Sequence, residues 1–139
     1  MIRVLGCIFG QHDLRLVVLA AGLCVLACAT ALTMTTRARA ADEQRTRLVW
    51  LAGAGAVAGS GIWATHFVAM LAYSAGMPIA FEPGLTVLSA AIAMSLCGVG
   101  FAVALMAGGA VGGMICGFAI AAMHYAGMAA VQLPARGVW

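Results

Sequence analysis

The chain has 139 residues, 65% hydrophobic and 8% charged, with a formal net charge of +3. A soluble domain carries roughly 25% charged residues, so this composition excludes an ordinary water-exposed globular surface. The seven basic residues are all arginines, and four of them (Arg37, Arg39, Arg45, Arg47) fall in one short stretch around Asp42 and Glu43, without the aromatic interleaving of a nucleic-acid site.

A spanning helix needs about 20 predominantly apolar residues. Four stretches qualify: Leu14 to Met34, Leu48 to Ala75, Leu85 to Leu105, and Gly108 to Leu133. Asp13 before the first span reads as an N-cap, where a side-chain oxygen satisfies an orphan backbone N–H. The arginine-rich stretch from Thr35 to Arg47 breaks the apolar run after it. The apolar core of Met1 to Ala40, followed by the Ala-Arg-Ala before Ala41, also has the outline of a signal peptide, but it is long for one and two arginines sit at the cut. The second span ends in GMPIAFEPG, Gly76 to Gly84, with two prolines and a glutamate. Glu82 followed by Pro83 predicts the start of the third span, with proline at an early helical position. MAGGAVGG, Met106 to Gly113, separates the third span from the fourth, and LPARG ends the fourth. The expected fold class is all-α, a polytopic transmembrane helix bundle. The positive-inside bias puts the arginine-rich linker in the cytoplasm and both termini outside.

Cys24, Cys28, Cys97 and Cys116 lie within apolar runs, while Cys7 precedes the first span. No CxxC pair is present, so the thiols read as small packing groups rather than a zinc or redox motif. Trp50 and Trp63 read as lipid or packing residues and Trp139 as an interface residue. Asp13, Asp42, Glu43 and Glu82 are scattered over loops. There is no paired carboxylate, nucleophile elbow or phosphate loop, so the chain does not read as an enzyme.

The chain repeats itself at an offset of 58 residues. Gly55, Gly59, His66 and Met70 fall on Gly113, Gly117, His124 and Met128, giving G-x3-G-x6-H-x3-M twice. Ile62 also matches Ile120, and Phe67 matches Tyr125. Steps of four, seven and eleven return to roughly one helix face. DLRLVVLAA from Asp13 and EPGLTVLSA from Glu82 are similar lead-ins, so the repeated unit is a helix pair. Both histidines lie about nine residues before the end of their span, roughly 13 Å below it at 1.5 Å per residue. The GxxxG stripes are expected to let helices approach closely.

Two such helices facing each other offer two imidazole nitrogens and two thioether sulfurs. Thioether is a soft ligand that favours Cu(I), and imidazole suits copper. Zinc more commonly takes thiolate or carboxylate partners, and neither the second nor the fourth span contains an acidic residue. His66, Met70, His124 and Met128 are therefore candidate metal ligands, with His12 at the mouth of the first span a candidate entry ligand. Met123 is a further soft donor, but it points about 100° away from His124 on an ideal helix, and its counterpart is Thr65. Tyr73 reads as an interface anchor or a hydrogen bonder to the site. Haem is the rival cofactor, since two histidines can ligate one iron axially. The plain structural alternative is a histidine bonding another helix and methionines filling gaps.

AAMHYAGMAA, Ala121 to Ala130, and GIWATHFVAMLAY, Gly61 to Tyr73, resemble the signature repeats of the MHYT family of bacterial integral membrane sensor domains. Ala126 replaces that signature's threonine, and Thr65 stands where methionine is usual. The lead-ins HDLRLVVLAA and the stretch after Glu82 are also similar. The family domain is described as seven spans with three signature copies, so this chain resembles its first part. The resemblance implies a multi-pass protein of the bacterial inner membrane with a copper site near the outer face, sensing oxygen, carbon monoxide or nitric oxide. Many members are fused to cyclic-di-GMP enzymes or histidine kinases. Output is accordingly expected through a separate signalling protein or a homo-oligomer. By position His66, Met70, His124 and Met128 carry the ligand roles, with His12 weaker. A haem-binding or metal-handling membrane protein, and a truncated structural remnant, are the alternatives.

Overall fold

The computed structural model describes residues 14–72 and 80–132. In chain order these form α1 (Leu14–Ala40), α2 (Gln44–Ala72), β1 (Ala80–Phe81), α3 (Pro83–Ala107), α4 (Gly109–Ala129) and β2 (Val131–Gln132). All four helices are long and apolar enough to cross a membrane, with mean hydropathies of 2.4, 1.4, 2.2 and 1.4. Each packs mainly on its neighbours in sequence, α1 on α2, α2 on α3 and α3 on α4, whereas α2 and α4 touch lightly.

The distribution of side chains is that of a lipid-facing bundle. The core cluster is built from Ala31, Ala58, Cys97 and Ala119, with Ile62, Leu96 and Phe101 packed against it. Large apolar side chains point outward instead, Val18, Val25 and Val87 being about 70% exposed and Met106 87%. In lipid, burying a leucine gains nothing over leaving it among acyl chains, so small residues that bring backbones together take the interfaces. Cys97 is buried by the same logic, while Cys24 and Cys28 face outward.

The α2–α3 junction shows how close that approach is. A Cβ on Gly55 would lie 2.5 Å from the Gly98 Cα, and one on Gly59 would lie 2.4 Å from the Met94 Cα and N. The equivalent glycines of α4, Gly113 and Gly117, meet nothing within 4 Å. The two stripes that match in sequence therefore differ in use. The stripe on α2 admits α3, and no described element covers the stripe on α4. Across the same junction the buried Ser89 hydroxyl accepts from Trp63 Nε1 at 3.2 Å, so Trp63 is a polar fastener as well as a packing residue.

Helix ends depart from the apolar boundaries. α1 runs six residues past Met34 to Ala40, and α2 begins at Gln44, leaving only residues 41–43 between them. Arginine is a good helix former, and a helix can project beyond the hydrocarbon that defines the apolar run. Arg47 Nη2 donates to the Ala41 carbonyl at 3.1 Å and closes this turn, while the Arg37 guanidinium lies 5.1 Å over the Trp50 ring. α3 and α4 are separated by one residue, Gly108, at φ 97° and ψ 157°. That conformation is essentially restricted to glycine, so the reversal needs no longer loop. α4 ends at Ala129, short of Leu133, because β2 (Val131–Gln132) leaves the helix to pair with β1. Asp13, Cys7 and Trp139 lie outside the described residues.

Glu82 caps α3 as its position before Pro83 predicts. Its Oε1 accepts from the Gly84 N–H at 2.9 Å and its Oε2 from the Leu85 N–H. Those backbone donors hold the carboxyl below its ordinary value of 4.5. A depressed carboxyl stabilises the fold above its unfolded pKa, and that contribution is lost as pH falls through the folded value. Glu82→Ala is therefore expected to lower the thermal midpoint in detergent at neutral pH. The two proteins' midpoints should converge as the medium is acidified below pH 4.5. A pH-independent gap would mean that the carboxylate is not the capping charge.

Candidate metal centre

His66 and His124 come from different helix pairs and meet. His66 lies near the end of α2 and His124 near the end of α4, whose following strand β2 pairs with β1 at the entry to α3. Ala80 pairs with Gln132 and Phe81 with Val131, antiparallel, and the Glu82 N–H donates to the Ala130 carbonyl at 2.8 Å. This clasp joins the chain entering α3 to the chain leaving α4. Beneath it the two imidazole Nδ1 atoms are 3.5 Å apart, and the ring centroids are 4.9 Å apart at 79°. At most one of the two nitrogens can donate to the other, so the second presents a lone pair.

The two rings are not equivalent. His66 is half-buried. Its ring stands edge-on to Phe67 at 5.3 Å, and Phe67 packs in turn on Trp63 at 4.8 Å and on Phe81 at 5.2 Å. A Cβ on Gly127 would lie 3.3 Å from His66 Nε2, so Gly127 leaves just enough room for the ring. His66 Nε2 is buried and has no hydrogen-bond partner among the described residues. His124 is exposed and stacks edge-on with its neighbour Tyr125 at 5.6 Å, the latter 75% exposed. Met70 is half-buried and Met128 45% exposed, each one turn beyond its histidine on the same helix. Met123, turned away from this face as its position predicts, is 1% exposed inside the bundle. Thr65 is also turned elsewhere, its hydroxyl 3.4 Å from the Ala20 carbonyl of α1.

The donor set suits a single ion. With metal–nitrogen bonds of about 2.0–2.1 Å, two nitrogens separated by 3.5 Å subtend an angle of about 117° at the metal, between trigonal and tetrahedral. Lining of the pair by apolar and aromatic groups favours a soft or borderline ion over one needing carboxylates. Among the described residues no cluster of three or more His, Cys, Asp or Glu is present. Any further donor drawn from them is therefore a thioether or another neutral group. His12 and Tyr73, the candidate entry ligand and anchor, lie outside the described residues.

Sequence reasoning missed Phe67, Phe81 and Gly127 as the walls of the site. Phe67 was visible as the counterpart of Tyr125, but nothing in the repeat distinguishes a wall from a lipid-facing ring. Gly127 lies inside the signature, and its repeat counterpart is Ala69, so the offset alone gives it no weight.

The matched family model is described as "Bacterial signalling protein N terminal repeat", MHYT, and covers residues 59–114 and 117–139. The chain is 40% identical over 141 residues to an uncharacterized signaling protein of Caulobacter vibrioides, an alignment that takes in 99% of this chain and 17% of that protein. It is 40% identical over 116 residues to the bifunctional diguanylate cyclase/cyclic di-GMP phosphodiesterase MucR of Pseudomonas aeruginosa, covering 78% of this chain and 16% of that enzyme. The signaling protein YkoW of Bacillus subtilis is 33% identical over 89 residues, or 60% of this chain and 11% of YkoW. The chain thus spans about a sixth of the length of the first two curated relatives. No solved structure matches it. Two copies of the histidine signature, each on a long apolar helix, coincide with a repeat shared by these signalling proteins, and the chain belongs to the MHYT family.

Proposed function

We propose that this chain is a membrane-embedded sensory module with a copper ion as its input site, responsive to a diatomic gas or to redox state. One observation carries the reading: imidazoles 58 positions apart in sequence, on separate helix pairs, bring their Nδ1 atoms within 3.5 Å. His66 and His124 hold the ion, and Met70 and Met128 are the soft donors within one helical turn. Bound copper supplies an open coordination position and a one-electron couple. The protein's own part is to fix His66 between Phe67 and Gly127 while leaving His124 at the lipid or solvent side. The rings' edge-on approach at 4.9 Å favours a bare ion over haem, whose macrocycle must pass between its axial ligands. His12 belongs to the proposal as an entry ligand.

Output is proposed to run through a separate or fused signalling partner, consistent with relatives named for cyclic di-GMP turnover. The arginine-rich edge is proposed to face the cytoplasm of a bacterial inner membrane. Metal analysis of the purified protein, loaded with Cu(I) under reducing conditions, tests the reading together with its visible spectrum. One copper per chain without a Soret band is the expected result. A strong Soret band would replace copper with haem, and neither signal would leave only a structural bundle.

A further inference from the structure

A second polar cluster lies at the opposite edge of the bundle from the histidines. Arg39 at the end of α1, with Gln44 and Arg47 at the start of α2, lines a cavity of about 380 Å³ whose other wall is Leu105 and Met106 of α3. Leu48, Leu51 and Ala102 floor this cavity and also belong to an adjoining groove of about 410 Å³. That groove continues between α2 and α3 past Ala52, Ala56, Ser95 and Val99. From Leu48 to Ala56 it follows α2 for about 12 Å. The combined space is cationic at one end and apolar along its length.

The guanidinium groups keep donors in reserve. Arg47 spends Nη2 on the Ala41 carbonyl, while its buried Nε has no partner among the described residues. Neither linker carboxylate is paired with the cluster among the described residues. Glu43 accepts from Thr46 at 3.0 Å, and among the described residues no ion pair joins Asp42 or Glu43 to Arg39 or Arg47. Arginine's planar fork matches phosphate oxygens, and an exposed apolar groove beside it matches an acyl chain.

We propose that this is a binding site for an anionic phospholipid, its headgroup phosphate on Arg39, Arg47 and Gln44 and one acyl chain in the α2–α3 groove. A free phosphate would satisfy the arginines but leave the groove without a function. A zwitterionic lipid would bring its own cation to the same two arginines. Basic pockets between spanning helices recognise acidic headgroups on these terms. The site is independent of the histidine pair and of any metal there.

Lipid retention by the full chain tests the proposal, using native mass spectrometry after exchange into phosphatidylglycerol or phosphatidylcholine. Phosphatidylglycerol is expected to be retained about tenfold over phosphatidylcholine, a larger bias than the roughly fivefold that one diffuse surface arginine gives. Arg39→Gln, at an exposed position where folding is not at stake, is expected to remove most of that preference. Ala102→Phe, which blocks the passage between cavity and groove, should lower phosphatidylglycerol retention, while Arg45→Gln on the same edge leaves it unchanged. Millimolar inorganic phosphate is expected not to displace the lipid. Equal retention of the two lipids, an Arg39→Gln protein that keeps the preference, an equal loss in Arg45→Gln, or displacement by phosphate would each overturn it.

Discussion

Gly59→Val is expected to drive α2 and α3 apart, costing about 3 kcal/mol or more, the upper end of what overpacking an interior costs. The added Cβ alone would sit 2.4 Å from the Met94 backbone. Backbone cannot rotate aside as a side-chain tip can, so the relief has to be a shift of the whole helix. The Trp63–Ser89 hydrogen bond crosses the same junction and would break with it. The matching substitution one repeat later behaves differently. A Cβ at Gly117 meets nothing within 4 Å, so Gly117→Ala is expected to be neutral or to gain up to about 1 kcal/mol from better helix propensity. Thermal or SDS-titrated unfolding of the 139-residue chain in detergent reads both. Equal damage from Gly59→Val and Gly117→Val would show that the α4 stripe is as tightly covered as the α2 stripe.

Removal of either imidazole is the second large effect. His66→Ala and His124→Ala should each reduce copper affinity by more than the 10–100-fold typical of losing a group that merely supports a ligand. The double variant should be little worse than either single one, because one ion needs both rings. Stability should separate the two positions. His66 is half-buried against Phe67 and Gly127, so His66→Ala also opens a void, whereas exposed His124 is expected to be replaced without loss of thermal midpoint. Met70→Leu and Met128→Leu preserve volume while removing sulfur. They are expected to weaken Cu(I) while leaving a harder ion such as Zn(II) unaffected. Copper binding that persists in both histidine variants would place the metal elsewhere.

The four helices were legible because 20-residue apolar runs have few other physical outcomes. The 58-residue offset put His66 and His124 at matching depth on matching helices, which permitted their meeting, while the contact itself is a finding of the structure. The helix termini were not legible. Thr35, Thr36, Arg37 and Arg39 are polar, and hydropathy ends a span where the helix itself continues to Ala40. The hydroxyls of Thr35 and Thr36 bond back to the Ala31 and Thr33 carbonyls, so these residues stay compatible with the helix they appear to end. The different fates of the two glycine stripes were hidden for another reason. Identical spacing states that a face permits close approach but not which neighbour occupies it. The β1–β2 clasp involves two residues on each side, too few for any alternation to register.

For the proposed copper ion the histidine pair, lying beside that clasp, would act as a preassembled chelate rather than two separate donors. The fold already brings the two Nδ1 atoms to 3.5 Å, so an incoming ion does not have to close a 58-residue loop to reach its second nitrogen. The local concentration of one imidazole beside the other is supplied by folding, which lowers the entropic cost of capture. The same clasp lies next to any motion at the site: Phe67, adjacent to His66, packs on Phe81 of β1 at 5.2 Å, so a ligand that displaces His66 presses on the strand pair through that contact.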